Sequence, residues 1–151
     1  MAKEPFVPSD FVVPLELTTE HFRLEPLGPQ HNDSDYEAWS SSLEHIRSTP
    51  GWEESSWPDG RSLEDNLRDL QRHADDFENR TGFTYTVLDP ATGDVIGCVY
   101  IYPDKRGQHD AVVLSWVRAS RRELDTQLWR AVSHWLADDW PFERVAYAKR
   151  A

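Results

Sequence analysis

The spacing of apolar positions changes several times along this 151-residue chain, and each change predicts an element. Residues 1–20 carry Pro5, Pro8 and Pro14 among Phe6, Phe11, Val12, Val13, Leu15 and Leu17. Proline at that density forbids a helix and disfavours a central strand, so an extended arm lying on the domain surface is expected. Residues 21–27 alternate apolar and polar side chains as a half-buried strand does, and Gly28-Pro29 ends them. Tyr36, Trp39, Leu43 and Ile46 then share one face of a helix expected over 33–47. Residues 48–61, with Pro, Gly and Ser around Trp52 and Trp57, are loop by composition. The clearest helix follows, with Ser62 and Asp65 as a capping pair and Leu63, Leu67, Leu70, Ala74 and Phe77 as its stripe. Gly82 is placed to end it in the left-handed conformation.

The second half reads as a sheet with one more helix. Strands are expected over 83–88 and 95–102, joined by the turn-forming residues 89–94 into a hairpin. A third strand covers 111–117. Ser120 opens a helix with Leu124, Leu128, Val132, Trp135 and Leu136 inside, and Pro141 bars its continuation before a final strand over 142–147. The predicted fold is therefore α+β: a mixed, mostly antiparallel sheet with helices on its faces. The strand at 111–117 should lie antiparallel to 95–102 and, across the last helix, parallel to 142–147. One domain over 21–151, preceded by the arm at 1–20, accounts for the whole length.

Charge narrows the partners. Of 27 acids, 18 fall in the first 80 residues with only 7 of the 16 bases, leaving nine of each beyond. A net charge of -11 repels nucleic acid and anionic membrane surface, so neither is an expected partner. The acidity reads as solubility or as attraction for cationic, amine-bearing ligands. No apolar run approaches the about 20 residues that span a bilayer, no signal segment is visible, and the single Cys98 cannot form an internal disulfide. A cytoplasmic, bacterial-type protein is the expectation. The six histidines show no metal-binding spacing, and there is no Gly-x-Ser-x-Gly elbow. Cys98, mid-strand, reads as a core thiol.

The order of elements, with FRLEPLGPQHNDSDYEAW as opening strand and helix, FTYTVLDPATGDVIGCVYIYP as central hairpin and AVVLSWVRAS leading into the crossover helix, resembles the GNAT superfamily of acyl-coenzyme A N-acyltransferases over about residues 21–149. The resemblance implies acetyl-coenzyme A as co-substrate, no metal, and direct transfer of an acetyl group to a small or protein amine. It implies that the backbone of Leu114, Ser115, Trp116 and Val117 binds the pantetheine arm, and that the turn at Ser120, Arg121 and Arg122 meets the pyrophosphate. Glu44 and His45, at the end of the first helix, are the general-base candidates. Trp52 and Trp57 are either packing lids or an aromatic cage for a cationic amine.

Two departures from the pattern matter. The family's turn is glycine-rich, whereas Ser120-Arg121-Arg122-Glu123-Leu124-Asp125 has no glycine. Ser120 and Glu123 read instead as a capping box that fills the anion site, unless Arg121 and Arg122 hold phosphates by direct ion pairs. The family also continues beyond the last strand and supplies there a tyrosine that protonates the thiolate. The sequence stops at Ala151, so no residue is matched to that role. Lys149 and Arg150 read as charges that protect the last strand's edge, which a homodimer could cover instead. A catalytically silent binding or dimerisation module is the alternative to an enzyme.

Overall fold

The computed structural model describes residues 5–53 and 61–150. Six strands form one sheet in chain order: β1 (Leu17–Thr18), β2 (Arg23–Pro26), β3 (Phe83–Leu88), β4 (Val95–Tyr102), β5 (Ala111–Val117) and β6 (Val145–Tyr147). All neighbours are antiparallel except β5 and β6, which run parallel in the register Ala111↔Val145, Val112↔Ala146 and Val113↔Tyr147. The expected pairings of 111–117 on both sides are therefore present. Among the described residues four α-helices cover the sheet: α1 (Asn32–Ser40), α2 (Leu43–Arg47), α3 (Leu63–Glu78) and α4 (Asp125–Asp139).

Alternation along the strands sends side chains to two cores. Phe83, Tyr85, Val87, Val99, Ile101 and Val113 join Leu128, Val132 and Trp135 of α4. Cys98 and Trp116 join Ala38 and Trp39 of α1, Ile46 of α2 and Leu70 of α3. The proline-rich stretch packs against the first core. Val7 is buried, Phe6 stacks between Phe83 and Phe142, and the Tyr85 hydroxyl donates to the Pro14 carbonyl at 2.7 Å. Val12 and Leu15 stay exposed, while Leu17 and Thr18, expected in the surface arm, join the sheet as its edge strand β1.

Several elements differ from the sequence expectation. The helix foreseen over 33–47 is two, because the Ser41 hydroxyl donates to the carbonyls of Glu37 and Ala38 and competes with the helical ladder. Ser42 turns its hydroxyl outward to accept the Ala119 N–H at 2.9 Å. The capping box at Ser62 and Asp65 is present, and Leu70 and Phe77 of the expected stripe meet the core, but the first two leucines of that stripe do not. Leu63 and Leu67 are 42% and 44% exposed, while Asn66, Asp69 and Leu70 point inward. The left-handed residue after α3 is Arg80, at φ 61°, and not Gly82. Gly82 serves packing: a Cβ there would sit 2.1 Å from the ring of Tyr102. The last strand begins only at Val145, since the N–H groups of Glu143 and Arg144 go to the Asp110 carboxylate. Among the described residues no helix is long and apolar enough to cross a membrane.

Candidate functional site

Strands β5 and β6 pair for three residues only, and beyond Val113 and Tyr147 side chains occupy the gap between them. The main-chain carbonyl of Ser115 accepts two side-chain donors there: Trp52 Nε1 at 2.9 Å and an Arg150 guanidinium nitrogen at 2.9 Å. The Ser115 and Tyr147 hydroxyls share a hydrogen bond at 2.6 Å. Burial pushes the Tyr147 hydroxyl up to about 12, so it keeps its proton at neutral pH. Arg150 is 3% exposed and also pairs with Asp125 Oδ2 at 2.9 Å, at the first residue of α4. It is therefore not the edge-guarding surface charge that the sequence suggests. Three candidates from 114–117, namely Ser115, Trp116 and Val117, are fully buried, and Leu114 is half-buried.

The turn after β5 differs more. Residues 119–124 form a 3-10 turn, interrupted at Arg121 (φ -125°, ψ 29°), and α4 starts at Asp125. Neither start is capped by the side chain of its own N-cap residue, Arg118 or Leu124, and the expected Ser120–Glu123 capping box is absent, both residues being exposed. The three arginines part company. Arg118 pairs with Glu37 at 2.6 Å, and Arg121 pairs with Asp89 at 2.8 Å, which helps hold the Asp89 carboxyl below its usual range. Arg122 donates to the Ala119 carbonyl and has no carboxylate partner among the described residues.

Glu44 and His45 line a shallow cavity with Ser42, Ser48, Ala119 and Arg122, at this same turn. His45 Nε2 has no hydrogen-bond partner among the described residues, and burial lowers the imidazole below its usual range. The structure thus brings both base candidates to Arg122. Trp52 lines a separate cavity between the sheet and α1 and α3. It is buried, with its ring against Tyr100 at 5.6 Å, so it packs inside rather than lying over the surface as a lid. Trp57 lies outside the described residues.

The second cavity, about 160 Å³, contains polar groups that the apolar-stripe reading overlooked. Asp35, Asn66 and Asp69 are buried on the inner faces of α1 and α3, the first two one turn before Trp39 and Leu70 and the third next to Leu70. A polar residue at an inward helical position is the one signal that could have found them. Burial raises the Asp35 carboxyl to about 6 and lowers His73 to about 4. Among the described residues no group of three or more His, Cys, Asp or Glu could hold a metal ion.

No family model matches the sequence, and no curated protein does. The fold, by contrast, is similar to that of solved acetyltransferases. The ribosomal-protein-S5-alanine acetyltransferase of Vibrio fischeri superposes with a TM-score of 0.66 at 15% identity, covering 89% of this chain and 73% of its own. The acetyltransferase of Salmonella typhimurium that modifies the N-terminal serine of ribosomal protein L7/L12 gives 0.60 at 12%, covering 80% and 67%. The microcin C7 self-immunity acetyltransferase, solved with acetyl-CoA and AMP, gives 0.61 at 13%, covering 80% and 63%.

Proposed function

We propose that this chain, whose fold is that of the GNAT acyltransferases, is an acyl-coenzyme A-dependent N-acetyltransferase acting on a primary amine by direct attack. The observation that carries the reading is the carbonyl of Ser115. It lies where β5 leaves β6, has no strand partner on that side, and accepts N–H donors from side chains instead. An arm bearing amides, held as an added strand, fits such an edge. The Arg150 guanidinium stands where an amide donor of that arm would stand, so binding requires it to withdraw.

Acetyl-coenzyme A, when bound, supplies the acetyl group as a thioester. The chain's own contribution is alignment and proton handling, which together lower the barrier without covalent chemistry. The main chain of 114–117 would orient the arm, and Arg122 would meet its phosphates, since Arg118 and Arg121 are already paired. The Tyr147 hydroxyl holds a proton beside Ser115 and can donate it at the groove. His45, neutral near Arg122, can accept one.

One observation favours the alternative of a silent binding module: the groove is already filled by a buried ion pair, and the turn has no glycine to let backbone N–H groups approach a phosphate. Calorimetric titration with acetyl-coenzyme A decides between them. The enzyme reading expects saturable binding by the parent chain that tightens in Arg150→Ala and weakens in Arg122→Ala. Absence of heat from parent and Arg150→Ala alike up to about 1 mM would establish the silent module.

A further inference from the structure

The sheet ends on β1 at one edge and β6 at the other, and only the first is blunted. β1 pairs over two residues, with exposed Glu16 and Glu20 beside it, and a short, charged edge discourages further pairing. Val145, Ala146 and Tyr147 of β6 are uncharged, half-buried and free of proline. Arg150, which could have guarded them, turns inward to Ser115 and Asp125. The direction of the β6 main chain follows from its neighbours. The Arg144 carbonyl accepts the Asp110 N–H at 2.7 Å and the Ala111 N–H at 3.4 Å, so it points towards β5. Alternation then turns the main chain of Ala146 the same way, and that of Val145 and Tyr147 outward. Two N–H groups and two carbonyls thus look out from an edge where the described residues place no further strand.

We propose that this edge pairs with the same edge of a second copy, β6 against β6, antiparallel about a two-fold axis through Ala146. The strand is complementary to itself in that register. Val145 of each copy stands opposite Tyr147 of the other, so outward groups meet outward groups in four main-chain hydrogen bonds. The same register sets exposed Glu143 of each copy opposite exposed Lys149 of the other. A slip of two residues in either direction loses both charge pairs. The axis stands perpendicular to the sheet, so both copies of α4 lie over one face. There Trp129, Ser133, Leu136 and Ala137 of α4 form with Val145 and Tyr147 a groove of about 490 Å³ beside the edge, and two such grooves would join into one seam. Charge permits the approach: residues beyond 80 contain nine acids and nine bases. The surplus acids belong to the first 80 residues, whose strands β1 and β2 lie at the far edge of the sheet. An unrelated extended peptide could use the same hydrogen bonds but not the matched charges.

Four hydrogen bonds and a narrow seam make a weak interface, so the chain is measured by sedimentation equilibrium from about 1 to 500 µM. The expected result is a monomer–dimer equilibrium with a midpoint between about 10 and 200 µM. Lys149→Glu and Glu143→Lys each set like charges opposite one another twice, and each should weaken the dimer about tenfold. The double exchange, Glu143→Lys with Lys149→Glu, should restore the parent association. Both side chains are exposed, so folding is not at stake. Amide exchange at Val145 and Tyr147 should slow between dilute and concentrated samples, while exchange at Thr18 on the opposite edge stays the same. Four outcomes overturn the proposal: a monomer throughout, single variants that associate as tightly as the parent, a double exchange that fails to recover association, or a dimer in which the Val145 and Tyr147 amides exchange as fast as in the monomer.

Discussion

Arg150 and Ser115, 35 residues apart in the chain, meet where β5 and β6 diverge, with a guanidinium nitrogen 2.9 Å from the Ser115 carbonyl. The same guanidinium neutralises Asp125 at the start of α4, so one side chain ties the sheet to the helix that crosses between its parallel strands.

Breaking that tie should be costly in one direction only. Arg150→Met leaves Asp125 inside without its cation and should lose about 3 kcal/mol in urea unfolding. The double variant Arg150→Met with Asp125→Asn removes both charges and should recover most of the loss. A double variant as unstable as Arg150→Met would show that packing, not charge, is what Arg150 contributes.

Acid stability should be unusually flat between about pH 4 and 6.5, because two buried groups oppose each other. The folded-state pKa of Asp35 is raised to about 6, so its contribution is most favourable below its ordinary value of 3.8 and is lost as pH rises through 6. His73 is lowered to about 4, so its contribution is present above 6.5 and is lost as pH falls towards 4. Asp35→Asn removes a penalty of about 3 kcal/mol at neutral pH and should raise stability there. It should also uncover the His73 slope, with stability falling as pH drops. Chemical unfolding across that range checks both; a decrease in stability at pH 7 for Asp35→Asn contradicts the assignment.

Trp52→Phe keeps the ring against Tyr100 and deletes the indole donor to Ser115. Since Arg150 still serves that carbonyl, the loss should be modest, about 1 kcal/mol by thermal melting. Trp52→Ala also empties a buried site and should lose about 3 to 5 kcal/mol.

Gly97→Ala should be severe. A Cβ there would lie 2.3 Å from the Trp116 carbonyl oxygen, which is backbone of the neighbouring strand and cannot rotate aside. Forcing β4 and β5 apart should cost at least about 2 kcal/mol and speed amide exchange along 115–117. Normal exchange protection in a soluble variant would contradict the contact.

Arg121→Ala and Arg122→Ala should separate stability from anion binding. The first breaks the Asp89 pair and should lower stability by a few tenths to about 1 kcal/mol, as a partly exposed pair does. Arg122 donates, among the described residues, to a main-chain carbonyl and to no carboxylate, so the second should leave melting unchanged while weakening coenzyme binding. The reverse pattern would move the phosphate contact to Arg121.

Alternation and turn residues sufficed to predict the hairpin β3–β4, strand β5 and the Leu128, Val132, Trp135 face of α4, and with them the parallel neighbour of β5. These are periodic signals carried by many residues, and burying an apolar face leaves little freedom in how they are satisfied. Single polar residues carry no such redundancy. Nothing local told Asn66 to turn inward while Leu63 and Leu67 face solvent, or Arg150 to lie buried. Each depends on a partner far along the chain, as Asn66 depends on Trp39 and Arg150 on Ser115 and Asp125. A buried charge is placed by whatever the finished fold sets opposite it, and that pairing exists only once the tertiary structure has formed.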